Sequence, residues 1–143
     1  MRYPTFITGA ARALLSCGIV VVAGASLAHD DGRSETLRPL LRQDLRNVPG
    51  HTFTSAIVDF GPGVRAAPHT HGDAFVYAYV LKGSIRSQLD DEPAKVYRTG
   101  EVWFENPGAH HRLTENVSST EPASLLVVFV APTGAALKIP DMP

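Results

Sequence analysis

From Thr52 onward, short runs rich in β-branched and aromatic residues alternate with turn-forming clusters. The runs are Thr52 to Phe60, Phe75 to Leu81, Ser84 to Leu89, Lys95 to Arg98, Glu101 to Glu105, His111 to Thr114 and Ala123 to Ala131. Between them lie Gly61-Pro62-Gly63, Lys82-Gly83, Asp90-Asp91-Glu92-Pro93, Thr99-Gly100 and Asn106-Pro107-Gly108. Gly supplies positive φ, Pro fixes φ, and Asp and Asn bond their own backbone, so these clusters end strands. The pattern predicts seven or eight strands. The run Ser124 to Val130 has almost no polar alternation, which predicts cover on both faces, as inside a two-sheet sandwich. The fold class is therefore all-β, with two packed antiparallel sheets forming a sandwich or barrel. Upstream, Leu37, Leu40, Leu41 and Leu45 fit a helical period, but Pro39 and the short length leave helix and edge strand both open.

The first residues follow another pattern. Arg2 and Arg12 precede an apolar run from Ala13 to Leu27, which ends in the small-x-small order Ser26-Leu27-Ala28. This reads as an export signal over 1–28, cleaved after Ala28, with the mature protein periplasmic or secreted. A membrane span needs about 20 predominantly apolar residues, and this run is shorter and rich in Ala and Gly, so no stable span is expected after cleavage. Leu14-Leu15-Ser16-Cys17-Gly18 has the look of a lipoprotein cleavage box, but its apolar stretch follows Cys17 where lipidation needs it upstream. The remaining organisation is an N-terminal arm over 29–48, a domain over 49–132 and a C-terminal tail over 133–143 that straps the surface.

Charge and cysteine content narrow the chemistry. Thirteen Lys and Arg face fourteen Asp and Glu, a net charge of −1, so there is no basic excess to neutralise phosphates and nucleic acid is not an expected partner. The one cysteine can form neither an internal disulfide nor a Cys-rich zinc site. No phosphate-cradling Gly loop or Ser-centred nucleophile elbow is present.

Histidine is left to carry the chemistry. His69-Thr70-His71 places two imidazoles on the same face of an extended strand, close enough to share one ion. A third comes from His110-His111, of which only one can face the interior. Three neutral imidazoles suit Fe, Mn, Zn, Cu or Ni and leave coordination positions open.

Gly63, the pair His69-x-His71 and Gly83 together resemble the first motif of the cupin family, and Gly100, Gly108 and His111 resemble the second. The resemblance runs from about Pro49 to Pro132. It implies a cupin-type jelly-roll barrel with a divalent ion held inside by His69, His71 and His111, and the spacing from Gly100 turns His110 outward. Two departures stand out. Asn106 occupies the Pro position of the second motif, and Val76 occupies the position of the first motif's usual Glu. The implied metal shell is therefore three histidines without a carboxylate. Asp73 is the nearest acid to the first motif, and it, Glu101 and Glu105 read as solvated loop or strand acids.

If Val76 faces inward, Ala78 and Val80 do too, and Phe75, Tyr77 and Tyr79 form an outer aromatic face that fits a homodimer contact or the chain's own arm. Of Trp103 and Phe104, one must face the core. Arg65, Arg86 and His51 read as ordinary surface or loop residues. The resemblance implies either a metal-dependent dioxygenase or isomerase acting on a small organic substrate, or a non-catalytic module that binds a metal or small ligand. Fold alone does not separate them.

Overall fold

The computed structural model describes residues 34–142, so the segment expected to be an export signal, its expected cleavage site and Cys17 lie outside the described residues. The first sheet joins β1 (Thr36–Asp44), β2 (His51–Phe60), β10 (Ala123–Pro132), β5 (Phe75–Lys82) and β8 (Val102–Glu105) in that order. The second joins β11 (Ile139–Pro140), β4 (His69–Thr70), β9 (His110–Asn116), β6 (Ser84–Leu89) and β7 (Lys95–Arg98), with β3 (Arg65–Ala66) also on β9. Every pairing is antiparallel. The fold is all-β, as the alternation predicts.

The seven predicted runs become β2 and β5 to β10. The segment left between helix and edge strand is a strand, β1, at the sheet edge beside β2. Pro39 cannot donate to a ladder, so an edge suits it, and the register shifts between Pro39 and Leu41. The two-residue strands β3, β4 and β11 are too short to show a period.

β10 lies between β2 and β5. Its Leu125, Val127 and Phe129 are buried, while Leu126, Val128 and Val130 on the opposite face are half-buried. β5 follows the predicted parity: Val76, Ala78 and Val80 are buried, and Phe75 and Tyr77 are exposed. Trp103 takes the inward place and Phe104 the outward one, where it stacks on Phe75 at 6.0 Å. Phe60, Ile85, Val76 and Val80 are the largest fully buried side chains, and burying each contributes about 1.5–3 kcal/mol. Apart from the buried Glu105 on β8, the first sheet thus presents a largely apolar inner wall, while the second carries the buried polar residues His69, Ser87, His111, Thr114 and Asn116.

Candidate metal centre

His69 on β4 pairs directly with His111 on β9, and His71 follows β4 by one residue. All three are buried, at 6%, 9% and 4% exposure for His69, His71 and His111. Their ring centroids are 4.7 Å apart for His69 and His71, 5.3 Å for His69 and His111, and 6.4 Å for His71 and His111. One ligating atom from each lies within 4.8 Å of the others, so the three form a cluster that could hold a metal ion. Ligands of one tetrahedral ion sit about 3.4 Å apart, so closing on an ion draws the rings inward by at most about 1.5 Å.

Local structure sets which nitrogens face inward. The Nδ1–H of His69 donates to the carbonyl of Ala67 at 2.7 Å, and that of His71 donates to the carbonyl of Leu137 at 2.5 Å. Each bond fixes the tautomer that leaves an Nε2 lone pair free to ligate. His111 is the reverse. Its Nε2 lies 2.9 Å from Ser87 Oγ and 2.6 Å from Thr114 Oγ1, while its Nδ1 is turned toward Glu105. A β-bulge makes this arrangement available: His111 pairs with Leu89 and Leu113 with Gln88, which leaves Arg112 as the extra residue. Residues 111 and 114, three apart, therefore both turn inward.

The spacing rule for the adjacent histidines holds. His110 faces out and contacts Asp141 at 2.9 Å. Asp73 is exposed in its loop and Glu101 accepts the Arg98 backbone N–H at 2.6 Å, so neither joins the cluster. Arg65 and Arg86 both pair with Glu115 on the surface. His51 opens β2 rather than lying in a loop.

Two sequence expectations need correction. Glu105 is no solvated acid: it is 2% exposed, with Oε1 accepting the Trp103 indole N–H at 3.1 Å and lying 3.2 Å from His111 Nδ1. Its Oε2 lies 3.5 Å from His71 Nε2 and is, among the described residues, the one buried side-chain polar atom without a hydrogen-bond partner. The available signal was alternation, which puts Glu105 on the same side as Trp103. The tail also does more than strap the surface. Leu137 orients His71 through its carbonyl, and a backbone group leaves no mark in the sequence.

Electrostatics favour neutral, ligation-ready rings. Burial pulls His69 down from 6.5 to about 4, helped by His71, Lys138 and His111 and opposed by its bond to Ala67. Burial also lowers His71, against the attraction of Glu105 and the Leu137 bond. Burial pushes Glu105 upward, but the neighbouring His111 and His71 and the Trp103 hydrogen bond outweigh that and hold it below the usual carboxylate range. Proton competition for these two rings therefore falls below the ordinary histidine value of about 6.5.

A stability prediction follows for the metal-free protein. The unfolded chain protonates His69 near 6.5 and the folded chain near 4, so the unfolded state binds more protons between those values. The contribution is complete above 6.5, declines as pH falls and is gone below 4. Discounted for partial solvent access, it amounts to about 1–2 kcal/mol. Urea denaturation from pH 7.5 to 4 should show this loss in the wild type and a smaller one in His69→Gln. Equal slopes would place the titration elsewhere.

The cluster opens into a cavity of about 320 Å³ between the sheets. Its wall is mainly apolar, with Val58, Phe60, Val76, Ala78, Val127 and Phe129 among the lining residues. Leu37, Pro39 and Leu137 also line it, together with Glu35 and Lys138, which form an ion pair. The donor set fits a divalent ion: three imidazoles, two of them with inward lone pairs, beside an unpartnered carboxylate oxygen.

Comparison with known proteins agrees with this architecture. The family profile described as Cupin domain matches residues 56–129, just over half of the chain. No curated protein matches it. The cupin domain of Cnp3 from Schizosaccharomyces pombe is 14% identical with a TM-score of 0.59, the match covering 69% of this chain and 62% of that structure. A conserved protein with a double-stranded β-helix domain from Klebsiella pneumoniae is 18% identical with a TM-score of 0.60, covering 76% of this chain and 86% of its own. A recombinant oxalate oxidase in complex with glycolate is 24% identical with a TM-score of 0.55, covering 69% and 52%. The chain thus spans about three-fifths of the Cnp3 structure and about half of the oxidase, and at these identities the likeness is one of fold. With the profile spanning both histidine motifs and the strands between them, the chain belongs to the cupin domain family.

Proposed function

We propose that this chain is an exported metal-binding cupin whose three-histidine centre works as a non-haem metal-dependent dioxygenase on a small, largely apolar organic substrate. One observation carries the reading: three buried imidazoles that could hold an ion line one mainly apolar cavity of about 320 Å³. A divalent ion, which His69, His71 and His111 would hold, would supply Lewis acidity and coordination positions open to substrate and O2. Ala67 and Leu137 hold two of the rings in their ligating tautomer, and Ser87 and Thr114 orient the third. The apolar wall keeps water from the reacting atoms and favours an uncharged substrate body. Oxalate oxidases are among the structures of similar fold, but the substrate class proposed here rests on the cavity wall. Export rests on the sequence over 1–28.

The test is O2 uptake by the full chain loaded with Fe(II) or Mn(II), against a panel of thiols, diketones and phenolics. Uptake with at least one class, abolished in His71→Ala, is the expected result. Stoichiometric metal with no uptake across the panel would replace the enzyme with a non-catalytic metal or small-ligand binding module.

A further inference from the structure

We propose that Glu105 is the fourth ligand of the ion at the three-histidine cluster, a carboxylate delivered from β8 into a site whose histidines lie on or directly after strands of the other sheet. The inference rests on the metal-binding reading above and adds a residue to it.

The first support is an unsatisfied atom. Oε2 of Glu105 is buried with no hydrogen-bond partner, whereas Oε1 is engaged by Trp103. A buried polar atom left unpaired costs about 1–3 kcal/mol, and more on a charged group, so a native fold rarely tolerates one without a purpose. The second is the atom it faces. His71 donates its Nδ1–H to Leu137, so its Nε2 presents a lone pair, and it does so 3.5 Å from Oε2. Two acceptors turned toward each other in a buried site call for a cation between them.

The spacing agrees. Donor atoms about 2.1 Å from one ion are separated by about 3.0 Å at right angles and about 3.4 Å in a tetrahedron. The carboxylate oxygens lie 3.5 Å from His71 Nε2 and 3.2 Å from His111 Nδ1. The rival role, in which Glu105 merely orients His111 from behind, needs His111 to ligate through its other nitrogen. That nitrogen lies against Ser87 and Thr114. Register supplies the last point: Glu105 is the direct cross-strand partner of Val76, and both side chains are buried. An acid at either position would enter the same space, and this chain places it at 105. Its charge also offsets part of the cost of burying a dication among neutral rings.

The test uses Zn(II) and the full chain. A crystal structure with Zn(II) bound should place a Glu105 oxygen about 2.1 Å from the ion. Chelator competition should show Glu105→Gln, which keeps shape and loses charge, binding Zn(II) about a hundredfold more weakly or worse. Zinc held by the three histidines with both Glu105 oxygens beyond about 3 Å would overturn the proposal and leave the metal-binding reading intact. So would an unchanged affinity in the variant. A wild type that takes up no Zn(II), Fe(II) or Mn(II) would overturn the reading itself.

Discussion

Replacing His71 with alanine is expected to weaken Zn(II) binding by about 10²–10³-fold, the share of one ligand in a site worth roughly 10–16 kcal/mol. The effect exceeds the loss of one donor atom. The Leu137 carbonyl loses its partner, and Glu105 loses the ring that faces its unpaired oxygen. His110→Ala is the matched control. It removes an imidazole adjacent in sequence to His111, yet that ring faces Asp141 on the surface, and Zn(II) affinity should not change. Calorimetric titration of both variants reads the difference. Equal losses would mean that the ion binds on the surface around residues 110 and 141, and the buried cluster would lose its claim to it.

The three histidines were legible because their placement depends on local rules. Alternation puts His69 and His71 on one side, and the resemblance of the Gly100-to-His111 interval to the second cupin motif selects one of two neighbours. Alternation gives Glu105 the same side as Trp103, but its place at the cluster was not legible, for the opposite reason. Its proximity to His71 and His111 depends on how β8 pairs with β5 and how the two sheets face each other, and neither is encoded near residue 105. Leu137 depends on a backbone carbonyl brought back from the tail, and carbonyls are the same in every residue. The strands show the same division. β10 could be read from composition alone, whereas β1 carries a leucine spacing that suits a helix, and only pairing with β2 decides its state. Tertiary context overrides a weak local period. The bulge at Arg112 is a similar case: a strict two-residue alternation from His111 would have pointed Thr114 away from the site it serves.

The glycines of the two motifs differ in why they are needed, and the difference is measurable. Gly83 and Gly100 both adopt positive φ, 76° and 90°, where an L-residue loses about 1–2 kcal/mol. Their surroundings are unlike. A Cβ at Gly100 would meet nothing within 4 Å, so Gly100→Ala should cost only that backbone term. A Cβ at Gly83 would meet Ala123 Cβ at 2.9 Å, Ala123 Cα at 3.0 Å and the Pro122 carbonyl at 3.1 Å. None of these is the end of a flexible side chain. Ala123 begins β10, is 1% exposed and pairs with Phe60, so relief would require moving a strand held between β2 and β5. Overpacking of this kind adds about 1–3 kcal/mol, which brings Gly83→Ala to about 2–5 kcal/mol. At about 4–8 °C per kcal/mol for a domain of this size, Tm should fall by roughly 10–40 °C, against roughly 4–16 °C for Gly100→Ala, so Gly83→Ala should melt clearly below Gly100→Ala. Thermal unfolding of the two variants side by side separates the contributions, because their backbone terms are alike. If the two melt together, the close approach of the β5–β6 turn to the start of β10 is wrong, and with it the packing that seats β5 and its Val76 opposite Glu105.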